Sequence, residues 1–357
     1  MKTSAPTWRE LLHQLPVDES MHQAVRAHLL QDEEKNGTPW FLALFAGVGA
    51  WIAALLGLVF CMVFMGLWES GAGSIAMGVI LFIAASFLSR TAENVFGQQF
   101  ALACLLTGNA LILVGTGITL NSERMIGVLF VMQIIIAFAT FFSYRGGLGV
   151  FLTLLAVPQL AIAWCLVLEN AHPLHLIVAA LAVAVVGLGL WRQRSRALDP
   201  AAYAAVVALP FSLLTMEMLR DESWFSFAQT TPPHWPSSIV LSAAVVVWIT
   251  HGVAARSCWQ ETWFRLVVVV LAVLGLFTSP GVLVAMLLLI MGRSLGQRVL
   301  MGLGYVFLLV FLSFHYYALD VSLAHKSWVI GGSGLVLLIT RWAADRLIHF
   351  ESKEVSA

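Results

Sequence analysis

Twelve apolar stretches follow one another through most of the chain, and no water-soluble core could hold them all. They cover about residues 40–65, 71–89, 98–119, 125–142, 147–168, 173–191, 201–219, 238–255, 264–279, 281–292, 299–318 and 327–342, separated by short polar breaks. A helix needs about 20 mostly apolar residues to cross a bilayer. Stretches apolar on every side belong to embedded helices, not to amphipathic surface ones. Strands of a membrane barrel would alternate apolar and polar residues, and these stretches do not. Only 11% of residues are charged, against about 25% in a soluble domain. The 19 basic residues are matched by 19 acidic ones, so no basic excess favours nucleic acid. The expected fold is an all-α integral membrane protein, a polytopic bundle of about 12 transmembrane segments.

The basic residues orient that bundle, because cytoplasmic loops carry the excess of Lys and Arg. With a cytoplasmic N-terminus and every stretch crossing, 16 of the 19 basic residues fall inside. Only Arg124, Arg220 and Lys326 fall outside. The C-terminus is then cytoplasmic as well. The weakest assignment is the pair 264–279 and 281–292, joined by Thr278-Ser279-Pro280-Gly281. If the pair were one kinked helix, the split would worsen to 12 inside and 7 outside. The chain is therefore expected to turn at Pro280-Gly281 and come back, as a full or a shallow re-entrant hairpin.

Three regions result: a cytoplasmic tail over 1–39, the bundle over 40–342, and a cytoplasmic tail over 343–357. The first tail carries six acidic and four basic residues and lacks the basic start and early apolar core of a cleaved signal. Trp8, Leu11, Leu12 and Leu15 share one helical face up to Pro16. Ser20 with Gln23 can open a second short helix bearing Met21, Val25 and Leu29. Cys61, Cys104, Cys165 and Cys258 are widely spaced and show no metal or redox motif. They read as small apolar packing residues.

Ionisable groups inside a membrane are functional candidates by default. Glu217 is the only acid inside an apolar stretch, near the outer end of the seventh, where it is expected to be solvated. His251 is expected to be a hydrogen-bonded packing residue, and Asn109, Gln133 and Gln159 to tie helices together. Pro158 and Pro210 remove backbone hydrogen bonds and should kink their helices. No cofactor is implied, and no catalytic residue is assigned.

The outer face receives Glu69, Glu123, Glu169, Asp221, Glu222 and Asp320, with His172, His175, His234 and His325, and His315 close by. His172 and His175 have helical ligand spacing, but Pro173 lies between them and no third ligand has motif spacing, so no metal site is expected. Ser313, His315 and Asp320 are neighbours in sequence only, and triads are defined by geometry. The longest outer loop, 220–238, carries Trp224, Phe225, Phe227 and Trp235. These are expected to form an interfacial aromatic belt or to anchor a partner protein. The candidates for partner or substrate contact are thus Glu217, Asp221, Glu222, Trp224, Phe225, Trp235, His315 and Asp320. Pairs such as Gly47/Gly49, Gly115/Gly117, Gly187/Gly189 and Gly302/Gly304 follow no strand, so they form no nucleotide loop. They allow close helix packing in lipid, as does the cluster Gly331-Gly332-Ser333-Gly334, expected to mark tight packing of the last helix.

Two stretches carry a resemblance. One is Thr38-Pro39-Trp40-Phe41 followed by Gly49-Ala50-Trp51-Ile52-Ala53-Ala54-Leu55. The other is Gly302-Leu303-Gly304-Tyr305, then 312–320 (LSFHYYALD), Lys326-Ser327, Gly334 and Arg341-Trp342. Together they resemble a bacterial inner-membrane family known as domain of unknown function 4401, related to domain of unknown function 2157. The resemblance spans nearly the whole chain. Family members often have Tyr where this chain has His315. The resemblance implies residence in the bacterial inner membrane. Through the family's gene neighbourhood it implies a membrane-anchored periplasmic partner named for a GDYxxLxY motif. The expected role is a non-enzymatic scaffold or accessory subunit, with the lipid bilayer as constant partner and a homo-oligomer compatible with it. A transporter or flippase is the alternative, and an outward-facing membrane enzyme the second.

Overall fold

A computed structural model describes residues 40–64, 66, 70–120, 125–168, 170, 172–192, 198–218, 234–253 and 262–318, with isolated residues between 327 and 338. Both tails, most of the last apolar stretch and most of the loop 220–238 lie outside the described residues. The described chain is helical, with α1 (Trp40–Phe64), α2 (Gly71–Thr91), α3 (Val95–Leu120) and α4 (Met125–Ser143) leading. Next come α5 (Gly147–Val167), α6 (Leu174–Arg192), α7 (Asp199–Met218) and α8 (Trp235–Trp248). The last three are α9 (Thr262–Phe277), α10 (Pro280–Ser294) and α11 (Arg298–Ala318). Six of these, α2 to α7, are long and apolar enough to cross a membrane. Shorter apolar helical stretches lie at Gly47–Phe60, Trp235–His251, Phe264–Gly275, Pro280–Ser294 and Arg298–Phe314.

Consecutive helices run back and forth, and a few polar contacts fix which ends meet. Arg90, in the last turn of α2, donates from Nε and Nη2 to the Ser143 carbonyl at 3.1 and 2.9 Å. That contact puts the ends of α2 and α4 side by side. A Cβ on Gly147, at the start of α5, would lie 3.5 Å from Pro200 at the start of α7. Tyr203 of α7 donates to Gln297 Oε1 at 3.3 Å, and Trp248 Nε1 at the end of α8 donates to Ser294 at 3.1 Å. Arg90, Arg145, Arg293 and Arg298 therefore belong to elements meeting at one end of the bundle. The opposite end holds the start of α6, where His175 Nδ1 lies 2.8 Å from Ser237 Oγ at the start of α8.

The junction of α9 and α10 follows the same logic. Thr278 N–H closes α9 on the Leu274 carbonyl, and Ser279 is extended before Pro280 opens α10. Proline fits the first helical position because its missing N–H would have no partner there. A Cβ on Gly275 would meet Ser242, Ser238 and Leu283, so the junction sits at the Ser237 end of α8. Ser294, the last residue of α10, reaches Trp248 at the other end. The chain thus turns back between α9 and α10. It turns again after Leu295, where Gly296 takes φ +65° and Gln297 N–H reaches the Gly292 carbonyl at 2.8 Å. This left-handed glycine stop lets α11 start at once beside α10.

Two cores result. The larger joins α5 to α11 around Trp248, Phe264, Phe311, Leu283 and Leu287, with α10 buried along most of its length. The smaller joins α2, α3, the α4–α5 turn and α5 around Ala85, Ala101, Leu105, Tyr144 and Val150. The α2–α3 pair depends on glycine. A Cβ on Gly78 would lie 2.7 Å from the Gly108 carbonyl, and one on Gly108 would lie 2.8 Å from the Gly78 carbonyl. One turn-pair further on, a Cβ on Gly115 would lie 2.6 Å from the Gly71 carbonyl. Ala85 and Ala101, both fully buried, continue this seven-residue spacing in the antiparallel register.

Several expectations are corrected here. A Cβ on Gly331, Gly332 or Gly334 would meet nothing within 4 Å among the described residues, so the expected tight packing is not seen against them. Gln159 is exposed on α5 and ties no helix among the described residues. His251, in a π-helical turn over Ile249–Val253, is hydrogen-bonded to the Val247 carbonyl at 3.2 Å but exposed rather than packed.

Candidate functional site

Among the described residues, the end of the bundle opposite the arginines holds Glu217, His175, His234 and Trp235 of those that the sequence singled out. Glu217 closes α7 and is 7% exposed, so the expected solvated acid is corrected to a buried one. Its burial follows from position: Leu213 and Met216, a turn and less behind it, face the large core and carry the helix face inward. His175 opens α6, paired with the fully buried Ser237 at 2.8 Å. Its Nε2 is buried and has no hydrogen-bond partner among the described residues. His234 and Trp235 precede and open α8, and Trp235 is exposed, as an interfacial aromatic should be. Asp221, Glu222, Trp224, Phe225 and Asp320 lie outside the described residues, as does the side chain of His315. No group of three metal-ligating side chains forms among the described residues. What this end can do chemically is donate and accept hydrogen bonds at a helix-end interface.

The arginine end holds a feature that motif spacing did not reveal. A cavity of about 410 Å³ opens between the start of α3 and the α4–α5 turn. Ser89, Gln98, Gln99, Tyr144, Arg145 and the turn Gly146-Gly147-Leu148-Gly149 line it. Tyr144 is 7% exposed, and its ring lies across the first turn of α5. A Cβ on Gly146 or Gly149 would come within 2.4 or 2.6 Å of that ring, so both glycines are needed to seat it. Burial, with a smaller contribution from the Cys104 thiol, pushes the Tyr144 phenol up to about 12. The phenol therefore stays a neutral donor over the whole physiological range. The run Tyr-Arg-Gly-Gly-Leu-Gly was the signal available in the sequence, but its meaning depends on the long-range approach of α3.

Described as a class, this is a helical membrane protein, built of apolar helices with polar residues gathered at the two ends of the bundle. The family model described as "Domain of unknown function (DUF4401)" matches residues 39–347, and the chain belongs to that family. No curated protein matches the chain, and no solved structure matches it.

Proposed function

We propose that the protein is a non-enzymatic scaffold or accessory subunit of the bacterial inner membrane, acting with a membrane-anchored periplasmic partner. The supporting observation is the filled centre of the α5–α11 core. Trp248 and Phe264 toward the arginine end, and Leu287, Leu283 and Phe311 further along α10, are all less than 2% exposed and fill the bundle along the length of α10. A transporter needs an alternating path at the bilayer midplane between helices that part. A core filled by large buried side chains favours a rigid framework instead. In this reading twelve segments cross, both termini are cytoplasmic, and the arginine end faces the cytoplasm in accord with the distribution of basic residues. The loop 220–238, with Trp224, Phe225 and Trp235 beside Asp221 and Glu222, is the docking surface. Aromatic anchors dominate interface energetics.

The test is crosslinking from the 220–238 loop in native membranes, followed by mild-detergent purification and mass spectrometry. A stoichiometric membrane-anchored partner is expected. Recovery of the chain alone, together with substrate-dependent flux in reconstituted vesicles, would replace this reading with transport.

A further inference from the structure

We propose that the cavity at the arginine end binds a phosphate group, carried either by a phospholipid headgroup or by a small soluble phosphoester. The α5 N-terminus supplies the first donors. Gly146 occupies the cap position with extended backbone and has no side chain to cap the helix. Gly149 and Val150 N–H groups turn to the Gly146 carbonyl, so the N–H groups of Gly147 and Leu148 remain for a ligand. A helix N-terminus carries about half a positive charge, which favours an anion. Helix ends alone are common, and a second feature distinguishes this one. The Tyr144 side chain is more than nine-tenths buried, lines the cavity, and its hydroxyl has no hydrogen-bond partner among the described residues. Arg145 lines the same space, with its guanidinium in no ion pair among the described residues. Gln98 and Gln99 add amide donors from the first turn of α3.

None of the cavity's lining residues is acidic. The neighbouring C-terminal end of α4, which would repel an anion, is covered by the Arg90 guanidinium on the Ser143 carbonyl. The volume, about 410 Å³, lies within the ~300–1,000 Å³ typical of small-molecule sites. A lining that offers a guanidinium, a phenol and backbone N–H groups suits the several acceptor oxygens of a phosphate better than the two of a carboxylate.

The key variant is Gly147→Pro. Position 147 is the first residue of α5 and follows extended Gly146, which suits a proline. The substitution deletes one donor N–H and keeps the helix. Gly147→Ala is the control, because it keeps the N–H and its Cβ meets Pro200 at an ordinary 3.5 Å. The full chain is purified in a non-ionic detergent and its thermal midpoint followed by tryptophan fluorescence. Glycerol 3-phosphate is titrated in one arm and short-chain phosphatidylglycerol in the other, at constant ionic strength. The wild type and Gly147→Ala are expected to show saturable stabilisation. Gly147→Pro and Arg145→Gln are each expected to need at least about tenfold more ligand, because a hydrogen bond to a charged group is lost. Tyr144→Phe should weaken binding in the same direction. Stabilisation by the soluble ester assigns a free phosphoester, and stabilisation by the lipid alone assigns a headgroup. Either no saturable shift in either arm, or a shift unchanged in Gly147→Pro and Arg145→Gln, overturns the proposal. If a variant's own midpoint falls, phosphorus NMR line broadening at low temperature reads binding directly on the folded fraction.

Discussion

The α2–α3 pair and the core around α10 reach close packing by opposite means. Where α2 meets α3, side chains are removed: Gly71, Gly78, Gly108 and Gly115 bring the two backbones together until a single methyl would strike a carbonyl. Around α10 the space is filled: Trp248, Phe264, Phe311, Leu283 and Leu287 are all buried in one core. In lipid there is no hydrophobic gain from hiding one helix against another, so packing and polar contacts must hold helices together. The two solutions fail differently. A glycine contact is sensitive to any added atom, and a filled core to any deleted one.

The largest effect should come from emptying the filled core. Trp248→Ala removes a fully buried ring and its hydrogen bond to Ser294. Deleting a large buried aromatic costs about 3–5 kcal/mol through lost contacts and the cavity left behind. Chemical unfolding of the full chain in detergent should show that loss, and Trp248→Phe should recover most of it. A loss below about 1 kcal/mol for Trp248→Ala would mean that the α8–α10 contact is not a packed core.

A smaller but sharper effect is expected at the glycines. Gly78→Ala places a methyl 2.7 Å from the Gly108 carbonyl and 2.9 Å from the Ile112 backbone nitrogen, where no flexible side chain can yield. Overpacking of this kind costs about 1–3 kcal/mol. Gly302→Ala adds the same methyl to α11, where nothing lies within 4 Å among the described residues. It should leave stability unchanged or raise it by up to about 1 kcal/mol, since glycine weakens a helix interior. Equal losses at both sites would show that the α2–α3 approach is looser than the distances state.

The filled core was more legible in the sequence than the glycine contact. Long apolar stretches and polar breaks located the helices, because their length and composition reflect the solvent directly. A turn back near Pro280-Gly281 was legible from proline and from the asymmetry of basic residues, although these two open α10 and the turn itself lies at Thr278-Ser279. The α2–α3 contact was not read, because the small residues at 71, 78 and 85 face those at 101, 108 and 115 seven residues apart. Attention to pairs two apart, such as Gly115/Gly117, divides a contact face from an open one: Gly115 meets backbone, whereas among the described residues Gly117 meets only the Met125 sulfur at 3.4 Å. The tyrosine-lined cavity was hidden for a similar reason. It joins Gln98 and Gln99 to a turn some 45 residues later, and local spacing carries no information about that approach. Glu217 was misplaced because nearness to a helix end was equated with exposure, although its helical face was already apolar and inward.

Polar contacts supply the smallest difference, and they test whether the glycine half depends on anything besides close approach. Gln133 of α4 is fully buried and donates from Nε2 to the Thr153 carbonyl of α5 at 2.8 Å. Its Oε1 is buried with no hydrogen-bond partner among the described residues. Replacing Gln133 by Met of similar length loses one interhelical hydrogen bond, worth about 0.6 kcal/mol on average in membranes. The same substitution removes an unsatisfied buried oxygen, which offsets that loss. The Thr153 carbonyl keeps its place in the α5 helix. The expected change is therefore within about 0.6 kcal/mol of zero, of either sign. Gln133→Ala should cost more than Gln133→Met, because it opens a space that the methionine fills. If Gln133→Met instead matched the loss from Gly78→Ala, the hydrogen bond rather than the close backbone approach would be holding this half of the bundle together.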